Sequence, residues 1–134
     1  MKDLRLQADR WLRQAEYDLG QALKSFADQS YAYACFFSEQ SSQKSLKAYL
    51  IYKGRRYVNI HSISELLKEA SVFDEGFGPL IDSGKQLDQY YLSSRYPDAI
   101  PEPAIPAEIF IEDQAKTAVD TGQKIFELSK KLIS

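Results

Sequence analysis

Four polar side chains in the middle of the sequence are candidates for binding an anion. Gln40, Gln43, Lys44 and Lys47 are spaced three, one and three residues apart, so on a helix they project from one broad face. Ammonium and amide groups donate hydrogen bonds to phosphate oxygens. The spacing indicates an anion-binding groove or a subunit interface, and the alternative is the solvated outer face of an amphipathic helix.

The distribution of charge supports the first interpretation. Residues 40–64 include five basic and no acidic residues, whereas the 134-residue chain has a net charge of −2, so the remainder carries −7. The segment could bind phosphate while Tyr49, Tyr52 and Tyr57 stack on bases. Because the whole chain lacks a basic excess, any contact with nucleic acid must be local. The alternative is that acidic residues of other helices neutralise the segment.

A second candidate lies between Tyr91 and Asp98. Arg95 falls in the last turn of a predicted helix, where a cation complements the helix dipole, and Asp98 is close enough to pair with it. This capping role accounts for Arg95 on structural grounds alone. The functional alternative is that Arg95 and Tyr91 face a phosphate or a base in a groove beside the helix that carries Gln40.

Few catalytic groups are available. His61 is the single histidine and Cys35 the single cysteine, and no motif pairs His61 with an acid or a nucleophile. The sequence also lacks CxxC, GxGxxG and GxxxxGK[ST] motifs. We therefore expect no cofactor and no metal site, and we expect Cys35 to lie in the core.

Apolar periodicity, caps and prolines predict an all-α fold. The first predicted helix runs from Leu4 to Phe26, and the second is capped by Ser30 and ends near Tyr52, before Gly54. A short helix follows the capping box Ser62–Glu65, and a fourth helix extends from Pro79 to about Arg95. The four prolines of residues 97–106 predict a non-helical loop, and the last helix begins at about Glu108. These segments fit one domain over residues 1–134, an up-and-down antiparallel four-helix bundle with one additional short helix. The longest apolar run, residues 31–37, is too short to span a bilayer, and we expect a cytoplasmic protein.

Three segments, taken in order, resemble the HEPN (higher eukaryotes and prokaryotes nucleotide-binding) family, in its prokaryotic stand-alone type. They are Trp11-x3-Ala15-x2-Asp18-Leu19-x2-Ala22, Gln40-x2-Gln43-Lys44-x2-Lys47-Ala48 and Tyr91-x3-Arg95-Tyr96-Pro97-Asp98, with His61 between the second and the third. Gln43 departs from the family pattern, which usually has Glu there. The resemblance implies a helical bundle that is commonly dimeric. Many members work with a minimal nucleotidyltransferase, some as toxin and antitoxin, and others are linked to nucleotide binding.

The resemblance also bears on catalysis. Ribonuclease members of the wider superfamily have a His a few residues after the Arg, but no His follows Arg95 here. We therefore expect a non-catalytic module that forms a homodimer, works with a minimal nucleotidyltransferase and binds a nucleotide or RNA. The alternatives are a ribonuclease site assembled in space from His61 and Arg95, and a purely structural interaction subunit. The candidate binding residues are Gln40, Gln43, Lys44, Lys47, His61, Tyr91, Arg95 and Asp98.

Overall fold

A computed structural model describes residues 3–55 and 57–133, and these residues contain helices and no strand. The helices are α1 (Leu4–Ala27), α2 (Tyr31–Tyr52), α3 (Ile63–Phe73), α4 (Ile81–Asp88), α5 (Tyr90–Ser93), α6 (Pro106–Ile109) and α7 (Glu112–Leu132), with 3₁₀ turns at Glu75–Leu80 and Pro97–Ala99. The predicted all-α bundle is confirmed. No helix in the described part of the chain has the length and apolar character needed to cross a membrane.

Helix α2 is the centre of the bundle and packs most extensively against α1 and α7. Its polar run is largely buried between them, so the interpretation of this run as a solvated outer face is wrong. Small side chains allow the helices to approach closely. The Ser41 hydroxyl donates to the carbonyl of Ala15 on α1 at 2.8 Å, and a Cβ at Gly122 of α7 would lie 3.5 Å from Ser38.

The caps of α2 and α3 differ. Ser62 caps α3 as predicted, because its hydroxyl accepts from the Glu65 backbone N–H at 3.3 Å. Ser30 precedes α2, but its side chain makes no capping hydrogen bond, so that prediction is wrong. At the other end of α2, Gly54 adopts the expected left-handed conformation, with φ of 106°.

The predicted fourth helix is interrupted. Residues 75–80 form a 3₁₀ turn that contains Pro79, and α4 ends at Asp88, where the Gln89 N–H bonds to the carbonyl of Gln86. Tyr90 is buried, whereas Tyr91 is 42% exposed. Asp88, the last residue of α4, bonds through its side chain to the N-terminus of α3.

The proline-rich segment also differs from its prediction as a wholly non-helical loop. It includes the 3₁₀ turn at Pro97–Ala99 and the short helix α6, and each begins with a proline. Proline is tolerated in the first turn because its missing N–H would have no partner there. The last long helix, α7, begins at Glu112 rather than near Glu108.

Candidate functional site

A buried carboxyl group lies at the centre of the polar run. Glu39 is 1% exposed. One of its carboxylate oxygens accepts from Gln40 Nε2 at 2.8 Å and the other from Gln43 Nε2 at 3.0 Å. Burial raises the pKa of Glu39, and the two amide donors partly counteract this rise. The sequence reasoning missed Glu39, although its spacing of four residues before Gln43 on a central helix was a usable signal.

Gln43 joins this carboxyl group to His61. The Nδ1 atom of His61 lies 3.2 Å from Oε1 of Gln43, while the amide nitrogen of Gln43 donates to Glu39. Gln43 is buried and His61 is exposed. The structure thus brings together Gln40, Gln43 and His61 of the predicted set. His61 and Gln43 form a series of side-chain contacts that leads from the surface to Glu39, and Gln40 bonds to Glu39 directly.

Asp88 positions this part of the site. Its carboxylate accepts from the hydroxyls of Ser62 and Ser64 at 2.9 and 2.8 Å, from the Ser64 N–H at 3.1 Å and from the Ile63 N–H. A carboxylate at a helix N-terminus satisfies backbone donors and interacts favourably with the helix dipole. Asp88 therefore ties α3, and His61 just before it, to the end of α4. The sequence reasoning also missed this residue.

Arg95 is held by its neighbours. Its Nε and Nη2 atoms donate to the carbonyl of Tyr91 at 2.9 and 2.8 Å. Its guanidinium carbon lies 4.4 Å from the ring centroid of Phe36 and 4.8 Å from those of Tyr91 and Tyr96. Arg95 lies two residues beyond the end of α5 rather than in the last turn of a helix, and it caps α5 through these bonds to the Tyr91 carbonyl. The predicted ion pair with Asp98 is wrong for the described residues, because Arg95 bonds to the carbonyl instead and Asp98 is exposed.

A cavity of about 350 Å³ opens beside Arg95. We call it the Arg95 pocket; it includes Tyr31, Tyr33, Ser94, Arg95, Pro97 and Pro106 among its lining residues. The charge of Arg95 also lowers the pKa of Glu39, so the pocket lies within electrostatic range of the buried carboxyl group. The pocket combines a fixed cation with aromatic rings, a chemistry that suits a phosphate and a base.

The two lysines of the predicted set contact α1 instead. Lys44 Nζ lies 2.6 Å from the carboxylate of Asp18, and Lys47 Nζ lies 5.5 Å from the ring centroid of Trp11. Lys47 is 6% exposed, and burial lowers its pKa. Neither lysine lines the Arg95 pocket. The polar stretch that the spacing assigned to one face is therefore divided. Gln40 and Gln43 contact Glu39, whereas Lys44 and Lys47 contact α1.

Two other side chains of the basic segment, residues 40–64, also contact residues within the protein. Arg55 pairs with Glu69 at 3.0 Å, and Tyr49 is 1% exposed and packs on Phe77, so Tyr49 is not accessible to a base. Tyr57 is 78% exposed. Arg56 lies outside the described residues.

The comparisons with known proteins agree with this architecture. The family model described as the HEPN domain matches residues 8–132. The crystal structure of TT1696 from Thermus thermophilus is similar, with 33% identity, a TM-score of 0.83 and coverage of 94% of this chain and 98% of that one. The crystal structure of ST0689, an archaeal HEPN homologue, shows 31% identity, a TM-score of 0.77 and coverage of 100% of both chains. No curated protein matches. Because the family model spans nearly the whole chain and the similarity to solved structures extends from end to end, the chain belongs to the HEPN family.

Proposed function

We propose that this HEPN protein is a non-catalytic module that binds the phosphate of a nucleotide with Arg95 and acts beside a minimal nucleotidyltransferase. The observation that carries the proposal is the state of the guanidinium group at the edge of the Arg95 pocket. Its Nε and Nη2 atoms are anchored on a carbonyl, while Nη1 makes one long contact, 3.5 Å to the Tyr96 hydroxyl. An anchored guanidinium with a free edge loses little entropy when it binds an anion.

Two features support the absence of catalysis. A guanidinium group can stabilise negative charge but does not act as a proton donor or acceptor near neutral pH, so Arg95 does not supply a general acid or base. His61, the single imidazole of the chain, bonds to Gln43 and does not line the Arg95 pocket. Cleavage through the RNA 2′-hydroxyl needs a general base in reach of that hydroxyl.

The surroundings of the Arg95 pocket support a protein contact. Tyr91, Leu92 and Tyr96 are 42%, 52% and 49% exposed and follow each other closely along the chain. Exposed apolar side chains that cluster are typical of interfaces. We assign this patch to a second copy of the chain, which makes the working unit a homodimer. The nucleotidyltransferase partner, and with it a toxin–antitoxin role, comes from the family resemblance alone.

The test is calorimetric titration of the purified protein with ATP and GTP at two salt concentrations. Replacing Arg95 by Ala removes a charge-assisted contact, so we expect binding to weaken about tenfold or more. Lys124→Ala, an exposed cation on α7, is the matched control and should leave the affinity unchanged. Equal affinity of Arg95→Ala and the parent would show that the pocket is not the site, and the absence of binding in the parent would leave only the partner role.

Incubation with total RNA tests the ribonuclease alternative. We expect the RNA to remain intact with the parent and with His61→Ala. Cleavage by the parent that is lost in both His61→Ala and Arg95→Ala would overturn the non-catalytic assignment. Light scattering of the parent and of Leu92→Asp, which places a charge in the exposed patch, tests the homodimer, because a monomeric variant is expected only if the patch is the interface.

A further inference from the structure

A second concave surface lies along the first half of α1. This groove of about 770 Å³ is lined by residues of α1 between Gln7 and Tyr17 and by Lys44 of α2, and we call it the α1 groove. It shares no lining residue with the Arg95 pocket. Apart from Lys44, none of its residues belongs to the candidate set derived from the sequence.

Two aromatic side chains line the groove on different turns of α1. Tyr17 is 64% exposed, and Trp11 is partly buried, with the ammonium of Lys47 near its ring. Tyr17 follows Trp11 by six positions, which corresponds to about 9 Å along the helix axis. The groove therefore has aromatic side chains at two points along its length.

Cations accompany these rings. The guanidinium of Arg10 has one contact in the described part of the chain, 3.3 Å from Nη1 to Gln7 Oε1. Arg13 uses its Nε atom for Asp9 at 3.0 Å, in a pair whose side chains are 68% and 52% exposed. Such an exposed pair is weak and readily exchanges its partner for a phosphate. Arg10 and Arg13 are thus available to phosphate groups along the groove.

Carboxamides complete the lining. Gln14 Nε2 donates to Asp18 at 3.2 Å, which leaves its carbonyl oxygen to accept from a ligand. Gln7 uses its carbonyl oxygen for Arg10, which leaves its amide N–H groups to donate. A donor and an acceptor of this kind match the hydrogen-bonding edges of bases.

We propose that the α1 groove binds a short single-stranded nucleic acid, with bases stacked on Trp11 and Tyr17 and phosphates held by Arg10 and Arg13. Aromatic rings interleaved with cations are the features that single-strand binding requires. An acidic peptide would match the cations but would leave the rings and the carboxamides without a role. The inference goes beyond the proposed function, because it concerns a different surface and a ligand of at least two nucleotides.

Tryptophan fluorescence tests the proposal, because Trp11 is the single tryptophan of the chain. We expect a single-stranded RNA octamer to quench it to saturation at low salt, and AMP to quench it only at much higher concentration. Tyr17→Ala should weaken octamer binding about fivefold or more, the loss expected from one stacked base. Phe73→Ala is the matched control, since Phe73 is an aromatic residue that is 45% exposed and lines neither the α1 groove nor the Arg95 pocket; it should leave octamer binding unchanged.

Salt dependence gives a second readout. Arg10→Gln should reduce the slope of log affinity against log salt concentration by about 0.7, the contribution of one phosphate contact in a single strand. Lys124→Gln, with the same change of charge on α7, should leave the slope unchanged. Arg10 and Tyr17 are both exposed, so neither substitution is expected to disturb folding.

Three results would overturn the proposal. They are the absence of quenching by the octamer, equal octamer affinity for Tyr17→Ala and Phe73→Ala, and quenching by polyglutamate at the concentrations at which the octamer acts, which would assign the groove to an acidic protein. Arg95→Ala separates this proposal from the previous one. It should weaken the calorimetric binding of ATP and leave the titration of Trp11 with the octamer unchanged, so either proposal can fail alone.

Discussion

The Arg95 pocket and the α1 groove hold their cations in different ways. Arg95 lies against three aromatic rings and bonds to a carbonyl through two nitrogen atoms. Arg10 and Arg13 stand on an exposed helix face with one contact each to Gln7 and Asp9. A fixed donor selects ligands by geometry and loses little entropy on binding, whereas mobile cations attract any phosphate chain in a salt-dependent manner. The pocket therefore suits one small ligand and the groove suits a strand.

The largest expected effect is a loss of stability when an ion pair beside the α1 groove is broken. Lys44 and Arg13, which line the groove, pair with Asp18 and Asp9. Asp18 and Lys44 have side chains that are 8% and 24% exposed. Replacing Asp18 by Asn keeps its size but leaves the half-buried ammonium without a full counter-charge, so we expect the free energy of unfolding to fall by about 2 kcal/mol. Asp9→Asn breaks the exposed pair with Arg13 and should cost about 0.5 kcal/mol or less.

Urea unfolding checks this difference, with thiol labelling as an independent probe. Cys35 is fully buried, and burial raises its pKa to about 12, so its thiol reacts only when the fold opens. Faster labelling is expected for Asp18→Asn than for Asp9→Asn. Equal costs for the two variants would mean that burial does not distinguish the two pairs.

Replacing arginine by lysine should affect the Arg95 pocket more than the α1 groove, with a smaller loss of stability than that expected for Asp18→Asn. A lysine at position 95 cannot reproduce the planar stacking or the two bonds to the Tyr91 carbonyl, and we expect a loss of about 1 kcal/mol in stability with weaker binding of ATP. Arg10→Lys keeps a mobile positive charge, so octamer binding in the groove should stay within about twofold of the parent. Thermal unfolding and the two titrations measure these effects. Tolerance of lysine at position 95 would contradict the view that the pocket depends on a fixed guanidinium.

The smallest expected effect is a pH dependence near the Arg95 pocket, because burial and the amide donors act on Glu39 in opposite directions. Since burial prevails and raises the pKa of Glu39 above its ordinary value of 4.5, the carboxyl group holds its proton more tightly in the folded protein. Its contribution to stability is present below that value and is lost as the pH rises through the folded-state pKa. The parent should therefore lose stability relative to Glu39→Gln as the pH rises from 4 to 8.

Urea unfolding of both proteins across this range gives the difference. His61→Gln is a suitable control, because it replaces the imidazole that contacts Gln43 and leaves Glu39 itself unchanged. A difference between the parent and Glu39→Gln that does not change with pH would mean that Glu39 titrates as an ordinary carboxyl group.

Some of this could be predicted from local sequence. The periodicity of α1, the hydroxyl cap at Ser62, the left-handed Gly54 and the capping Arg95 all depend on residues within one or two helical turns, so their types and spacing determine them. The residues that resemble the HEPN family pointed to the correct family and fold for the same reason, since they are short ordered motifs. Glu39 escaped prediction because nothing local shows that a glutamate in a polar run will be covered on both sides.

The sequence by itself determined which segments become helices, where most of them stop, and which residue types could meet a phosphate. Tertiary structure alone decided that α1 and α7 bury the polar run of α2, that Asp88 ties α3 to α4, and that Lys44 and Arg95 serve separate surfaces. The physical reason is the range of the interactions. Helix propensity and capping act over a few residues, whereas burial and the pairing of charges depend on which helices pack together, and in this chain those partners lie tens of residues apart.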